Sequence, residues 1–146
     1  MMRNLIRSER GASMVEFALL APVLILLVIG LIEVGRYTYF GILAAHAAEA
    51  GARYGAQNLY TVQDRPGITA AALNDGENLS QWIVTPNHTC SQNGALANCL
   101  GGTPAPNMVY YVTVSVTGSF HSLLNYPGVP TSVPVTAYAT MRVQNQ

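Results

Sequence analysis

Phe17-Ala18-Leu19-Leu20-Ala21-Pro22-Val23-Leu24-Ile25-Leu26-Leu27-Val28-Ile29-Gly30-Leu31-Ile32 carries no charge and hardly a polar atom. Extended back to Ala12, the apolar run takes in a single acid, Glu16, and reaches about 20 residues, enough to cross a bilayer of about 30 Å as a helix. A buried core helix is the competing reading. A chain of 146 residues has little material with which to cover a helix that is apolar on every side. Arg3, Arg7 and Arg10 precede the run, whereas Arg36 and Arg53 follow at greater distance. Positive charge before a span keeps that end in the cytoplasm and exports the remainder. A cleaved secretory signal fits poorly. Its apolar core would be about 7–15 residues, and the nearest small-x-small site, Ala45-His46-Ala47, lies well beyond the run in a stretch that itself looks helical. The expected topology is single-pass, with the N-terminus cytoplasmic and the C-terminal part exported.

Composition agrees with this division. Half the residues are hydrophobic and 10% are charged, against about 25% charged in ordinary soluble domains. Formal net charge is zero and every basic residue is Arg, so no nucleic-acid partner is indicated.

Glu16 is the informative residue of the span. A carboxylate at the centre of a transmembrane helix costs about 2.5–3.5 kcal/mol on insertion scales. Read alone, it either snorkels to the nearby cytoplasmic interface or serves a function. Its setting is Ser8-Glu9-Arg10-Gly11-Ala12-Ser13-Met14-Val15-Glu16-Phe17: a short basic leader ending in Gly, a Glu fifth after it, then the apolar run.

This arrangement resembles the type IV class of prepilins. More narrowly, Arg10-Gly11, Val15-Glu16-Phe17-Ala18, Pro22, Glu33-Val34-Gly35-Arg36 and Gly51-Ala52-Arg53-Tyr54 are similar to the TadE family of the tight-adherence (Flp) pilus system, as is the C-terminal Ala137-Tyr138-Ala139-Thr140-Met141-Arg142-Val143. The resemblance covers the first 56 residues and the last strand; Gln57–Asn107 resembles nothing recognised. It implies that a membrane prepilin peptidase cuts between Gly11 and Ala12, that Glu16, with Phe17 beside it, guides assembly, and that the partners are that peptidase, other pilin or pseudopilin subunits and the inner membrane. It also implies localisation in the bacterial inner membrane. The implied role is that of a minor pilin or pseudopilin supporting pilus assembly and adhesion, inside the filament or beside it in the membrane.

The helical pattern continues from Glu33 to Ala56 without Pro. Glu33/Arg36 and Glu49/Arg53 are spaced for i,i+3 and i,i+4 pairing. Small residues at Gly41, Ala45, Ala48, Ala52 and Gly55 alternate four and three apart, a narrow seam along which another helix can approach closely. The seam serves either a partner helix or the chain's own domain.

Beyond the helix the expectation is an α+β domain, 57–146, with an antiparallel sheet of about three strands packed on helix. The leader is 1–11 and the transmembrane and extended helix 12–56. Gln57–Arg65 reads as a loop and Pro66-Gly67 as a turn or helix start. Ile68–Leu79 reads as a short helix interrupted at Asn74-Asp75-Gly76, and Trp82–Thr85 as a short strand. Pro86–Pro106 reads as a loop, Met108–Thr117 and Val133–Gln144 as alternating strands, and Leu123–Pro134 as their connection.

Cys90 and Cys99, the only cysteines, should form a disulfide outside the cytoplasm. The rival reading, a metal site completed by His88 and His121, matches no recurring ligand spacing. Tyr110-Tyr111 offers a ligand platform or, more simply, sheet packing. The acceptor-like triplets Asn78-Leu79-Ser80 and Asn87-His88-Thr89 are read as chance. No GxSxG, HExxH, GxxxxGK[ST] or GxGxxG occurs. The reading is therefore a structural protein without cofactor, metal or catalytic residue; a membrane-anchored binding module, or an anchored envelope enzyme, stands as the alternative.

Overall fold

The computed structural model describes residues 9–76, 81–97, 99, 108–123 and 130–144. The order of elements is α1 (Glu9–Gly55), α2 (Arg65–Asp75), β1 (Ile83–Gln92), β2 (Ala95–Ala97), β3 (Met108–His121) and β4 (Ser132–Arg142). The class is α+β, a long N-terminal apolar helix followed by a small antiparallel sheet domain. The chain divides into two units, residues 1–36 and 37–146.

Within the first unit, α1 is helical from Glu9 and passes through Pro22 without interruption. Its large apolar side chains are exposed: Leu19 at 72%, Leu27 at 65% and Leu31 at 74%. By length and composition this helix is a candidate membrane span. The leader residues Met1–Ser8 lie outside the described residues.

The second unit begins at Tyr37, inside α1, and takes in the rest of that helix up to Gly55. The reason is packing. Ala44, Ala47, Ala48 and Ala52 are buried in one core with Val112, Val114 and Val116 of β3 and Ile68 of α2. Small residues bring the helix close. A Cβ placed at Gly55 would stand 2.9 Å from Val112 Cγ2 and 3.0 Å from Ile68 Cδ1, and one at Gly51 3.2 Å from Ala72 Cβ.

The sheet order is β2-β1-β3-β4, all neighbours antiparallel. Three strands are long; β2 is a three-residue flap on the edge. In β3 the even-numbered residues Tyr110 to Val116, and Phe120, are buried, the period of two expected of a sheet with one covered face. In β4, Val135 is buried, Ala137, Ala139 and Met141 are half-buried, and Val143 beyond it is buried, while Thr136, Tyr138 and Thr140 are exposed. The alternation read from sequence therefore holds on both strands, and β3 runs on to His121.

The stretch 86–106, expected as a loop, is corrected in its first part. β1 runs through Pro86 to Gln92, turns at Asn93-Gly94 and returns as β2. Both turn residues have positive φ, 52° and 84°, the backbone that two-residue hairpins favour and that Asn-Gly supplies at low cost. Pro86 is tolerated because β2 pairs only with Cys90, Ser91 and Gln92; among the described residues, no strand pairs with Pro86 on that side of β1. Pro134 sits in β4, an edge strand, for the same reason.

α2 begins at Arg65 and ends at Asp75. Ile68 and Ala72 are buried, as the pattern indicated, whereas Leu79 lies outside the described residues. Gly76 closes the helix, its N–H donating to the Ala72 carbonyl at 3.1 Å. At the far end of the domain Gln144 N–H donates to the Ala56 carbonyl at 3.0 Å and Val143 N–H to that of Tyr110 at 2.8 Å. These bonds tie the chain after β4 to the end of α1.

Candidate functional site

Gly11, Ala12, Glu16 and Phe17 all fall in the first turns of α1. Gly11 is exposed with open space around it, and Phe17 is 67% exposed. Glu16 is also exposed, one turn in from Ala12. The helix thus presents an exposed carboxylate beside exposed apolar side chains. Further along the same unit, Glu33 and Arg36 pair at 3.1 Å. This i,i+3 pair closes the apolar run.

The small-residue seam is divided by the fold. Ala48 and Ala52 are fully buried against the domain's own sheet. Ala45 is exposed, and a Cβ at Gly41 would meet nothing within 4 Å. The face that packs is Ala44-Ala47-Ala48-Gly51-Ala52-Gly55. Of the expected seam, Ala48 and Ala52 lie in the packed face and Gly41 and Ala45 lie beside it. A sheet needs a broader stripe than a partner helix does, so residues at successive i+3 and i+4 positions are covered together.

Cys90 and Cys99 are joined in a disulfide with a Cα–Cα distance of 5.5 Å. It staples the end of β1 to the segment just after β2. Among the described residues no group of His, Cys, Asp and Glu is arranged to hold a metal.

Two arrangements escaped the sequence reading. The first is an aromatic cluster. Tyr37 meets Phe120 edge-on at 5.7 Å, Phe40 meets Phe120 at 5.7 Å, and Phe40 stacks on Trp82 at 6.3 Å. The signal was present as Tyr37-Thr38-Tyr39-Phe40, one helical turn beyond the apolar run, where amphipathic rings gather at membrane interfaces. The second joins α1 to α2. Asp64 caps α2 by accepting from Gly67 N–H through Oδ1 at 3.0 Å, and its Oδ2 accepts from the Tyr54 hydroxyl at 2.8 Å. The Gly67 amide, then the Tyr54 hydroxyl, hold the Asp64 carboxyl below its ordinary range despite some desolvation. The same hydrogen bond, with lesser help from desolvation and the carboxylate charge, raises the Tyr54 phenol. The signal was the Asp64-Arg65-Pro66 string, an N-cap residue followed by Pro in the first turn. At the end of α1 a shallow concavity of about 330 Å³ is lined by Arg53, Gln57, Arg142 and Gln144 over Ala56 and Met141; Arg53 is paired with Glu49 at 2.6 Å.

Together these features define a protein class: a small disulfide-stapled α+β domain borne on a helix long and apolar enough to cross a membrane. Residues 11–53 match the family of TadE-like proteins. The matched segment opens on the Gly11-Ala12 junction, includes Glu16 and ends at Arg53 of α1. No curated protein and no solved structure matches the chain.

Proposed function

We propose that this protein is a pilin-like subunit, a minor pilin or pseudopilin, that supports assembly of a Tad/Flp-type pilus and, through it, adhesion. The observation that carries the reading is the TadE-like match, which spans the Gly11-Ala12 junction and Glu16 on an exposed apolar helix. In this reading the prepilin peptidase cuts after Gly11 and removes Arg3, Arg7 and Arg10, the charges that hold the N-terminus in the cytoplasm. Ala12 then carries a new ammonium group. Glu16 meets such a cation on a neighbouring subunit, because a carboxylate surrounded by hydrocarbon requires a charge partner. Desolvation offsets much of that attraction, so the pair sets register more than affinity. The role is structural rather than catalytic, and the sheet domain is exported.

The test is Glu16→Gln at matched expression. Insertion and cleavage, read by intact mass of membrane-extracted protein with and without the peptidase, should be unchanged, while pilus numbers fall. Normal piliation in this variant would remove the assembly role from Glu16. A chain still beginning at Met1 in a strain with active peptidase would remove the cleavage.

A further inference from the structure

We propose that β4 is a docking edge for an extended segment of another protein, a segment uncharged along its length and bearing an acid at the end that meets Arg142. The inference adds a contact surface to the sheet domain and does not depend on the pilin reading of α1.

Two hydrogen bonds fix which way the β4 backbone faces. Val143 N–H donates to the Tyr110 carbonyl at 2.8 Å, and Ser122 N–H to that of Thr131 at 3.1 Å. Both continue the β3–β4 register, one at each end of the ladder. In an antiparallel pair, successive residues turn their N–H and C=O alternately toward the partner and away from it. The odd-numbered residues of β4 therefore bond to β3, while Ser132, Pro134, Thr136, Tyr138, Thr140 and Arg142 turn their main-chain groups outward. Pro134, which has no N–H, falls on the outward side, where no ladder bond is lost.

Among the described residues no strand pairs with that outward side. Natural sheets blunt such edges with charge, proline, bulges or a covering segment. The opposite edge of this sheet is treated so: β2 covers Cys90, Ser91 and Gln92, and Pro86 interrupts the rest of β1. β4 is bare. From Val135 to Met141 it has no charge, proline or glycine, and its register with β3 runs without a bulge. A row of alternating donors and acceptors is matched by another extended backbone. Ala137, Ala139 and Met141, on the core side, are only half-buried, so apolar side chains on that face of an added strand would extend their cover. Thr136, Tyr138 and Thr140 are exposed on the other face, which suits polar neighbours.

Charge narrows the occupant. Arg142 is exposed, and among the described residues no acid pairs with it. It lines the concavity of about 330 Å³ at the end of β4 together with Arg53, Gln57 and Gln144. Arg53 is already held by Glu49 at 2.6 Å, which leaves Arg142 for an incoming acid. None of the four strands of this chain contains an acid, so a strand from a second copy has nothing to offer that guanidinium. The partner is therefore a different chain.

The probe is a labelled seven-residue peptide, blocked at both ends, that opens with glutamate and continues as alternating valine and threonine. Laid antiparallel on β4 with the glutamate opposite Arg142, its threonines fall opposite Thr140, Tyr138 and Thr136, and their N–H groups face β4 while those of the valines face away. Binding to the full chain in detergent is read by fluorescence anisotropy. N-methylation of the valines should leave binding intact, whereas N-methylation of the threonines should weaken it by about tenfold or more, because main-chain bonds are lost. Lysine in place of the glutamate should weaken binding about fivefold. In Arg142→Glu, which changes an exposed side chain, that preference should invert. Absence of saturable binding, or equal effects of the two methylation patterns, would overturn the docking edge. A glutamate preference that survives in Arg142→Glu would place the peptide elsewhere and overturn it too. A dimer of the unmodified chain that the peptide dissociates would replace the foreign strand with a second copy.

Discussion

The Trp82 indole lies over Gly118, filling the space that a Cβ at that position would need. Gly118 sits in β3 opposite Val135 of β4. The indole passes across it to stack on Phe40 of α1. A glycine in a strand interior weakens the strand, and a close approach of another group is a common reason for it. Gly118→Ala should displace the indole. We expect a destabilisation of about 1–3 kcal/mol, the usual range for overpacking, read by thermal unfolding, with a shift in tryptophan emission in the folded state. An unchanged emission maximum and melting temperature would show that the ring is not held there.

The divided seam of α1 gives a paired prediction. Ala48 is fully buried and Ala45 is exposed. Ala48→Leu should cost about 1–3 kcal/mol through overpacking against β3, whereas Ala45→Leu should stay within about 0.5 kcal/mol. Melting of the detergent-solubilised chain separates them. Co-purification with other pilus subunits asks a different question of the same pair. Weakened association in Ala45→Leu at normal stability would map a partner contact to the Gly41/Ala45 side. Unchanged association would confine the small residues to the internal fold.

The Cys90–Cys99 bond closes a short loop, with a sequence separation of 9. In the chain-entropy account such a closure stabilises by roughly 2.5–3 kcal/mol, less any native strain. Cys90 is also buried, at 1% exposure, so a serine there loses packing too. Cys99→Ser is the cleaner variant: it should lower the denaturation midpoint by that amount. Two free thiols in protein taken from the envelope without reductant would contradict the bond.

The Tyr54–Asp64–Gly67 group sets a pH window. Asp64 is lowered in the folded state, so its contribution is present above the ordinary carboxyl value of 3.8 and is lost as pH falls through the lowered native value. Tyr54 is raised, so its contribution is present below its ordinary value of 10.0 and is lost as pH rises through the raised one. Stability should therefore show an acid limb below about pH 4 that weakens in Asp64→Asn, since Asn caps a helix without titrating. Tyr54→Phe should remove the alkaline limb. An acid limb identical in Asp64→Asn and the unmodified chain would assign it to other carboxylates.

Gly67 tests the same junction sterically. A Cβ there would overlap the Asp64 carboxylate and the Tyr54 ring. Gly67→Ala, which elsewhere in a helix interior stabilises by up to about 1 kcal/mol, should here destabilise. A higher melting temperature in this variant would mean that Tyr54 can move aside without loss.

The alternating strands and the apolar span were legible because each is written in a local period. Val112, Val114 and Val116, then Val135 to Val143, alternate every two residues, which is the pleat itself. The charge-free run from Phe17 to Ile32 needed only a length rule. The Cys90–Cys99 pair needed only a count and a compartment. The Asn93-Gly94 turn was equally local, yet it sat in a stretch rich in Pro, Asn and Gly that masked β1; Pro86 argued against a strand until an unpaired edge made it harmless.

What the sequence by itself determined is a helix long and apolar enough to cross a membrane, the α+β class, the pleat of β3 and β4 and the TadE-like character of the N-terminal segment. What only the tertiary structure decided is which small residues of α1 are covered, where the domain begins within that helix, and which distant rings meet at its base. The physical reason is range. Periodicity and chain length act between neighbours and appear in any window of a dozen residues. The choice of Ala48 over Ala45, or the meeting of Tyr37, Phe40, Trp82 and Phe120, depends on how the sheet is set against the helix, and that setting is made by contacts between residues far apart in the numbering, such as Tyr37 and Phe120 or Ala56 and Gln144.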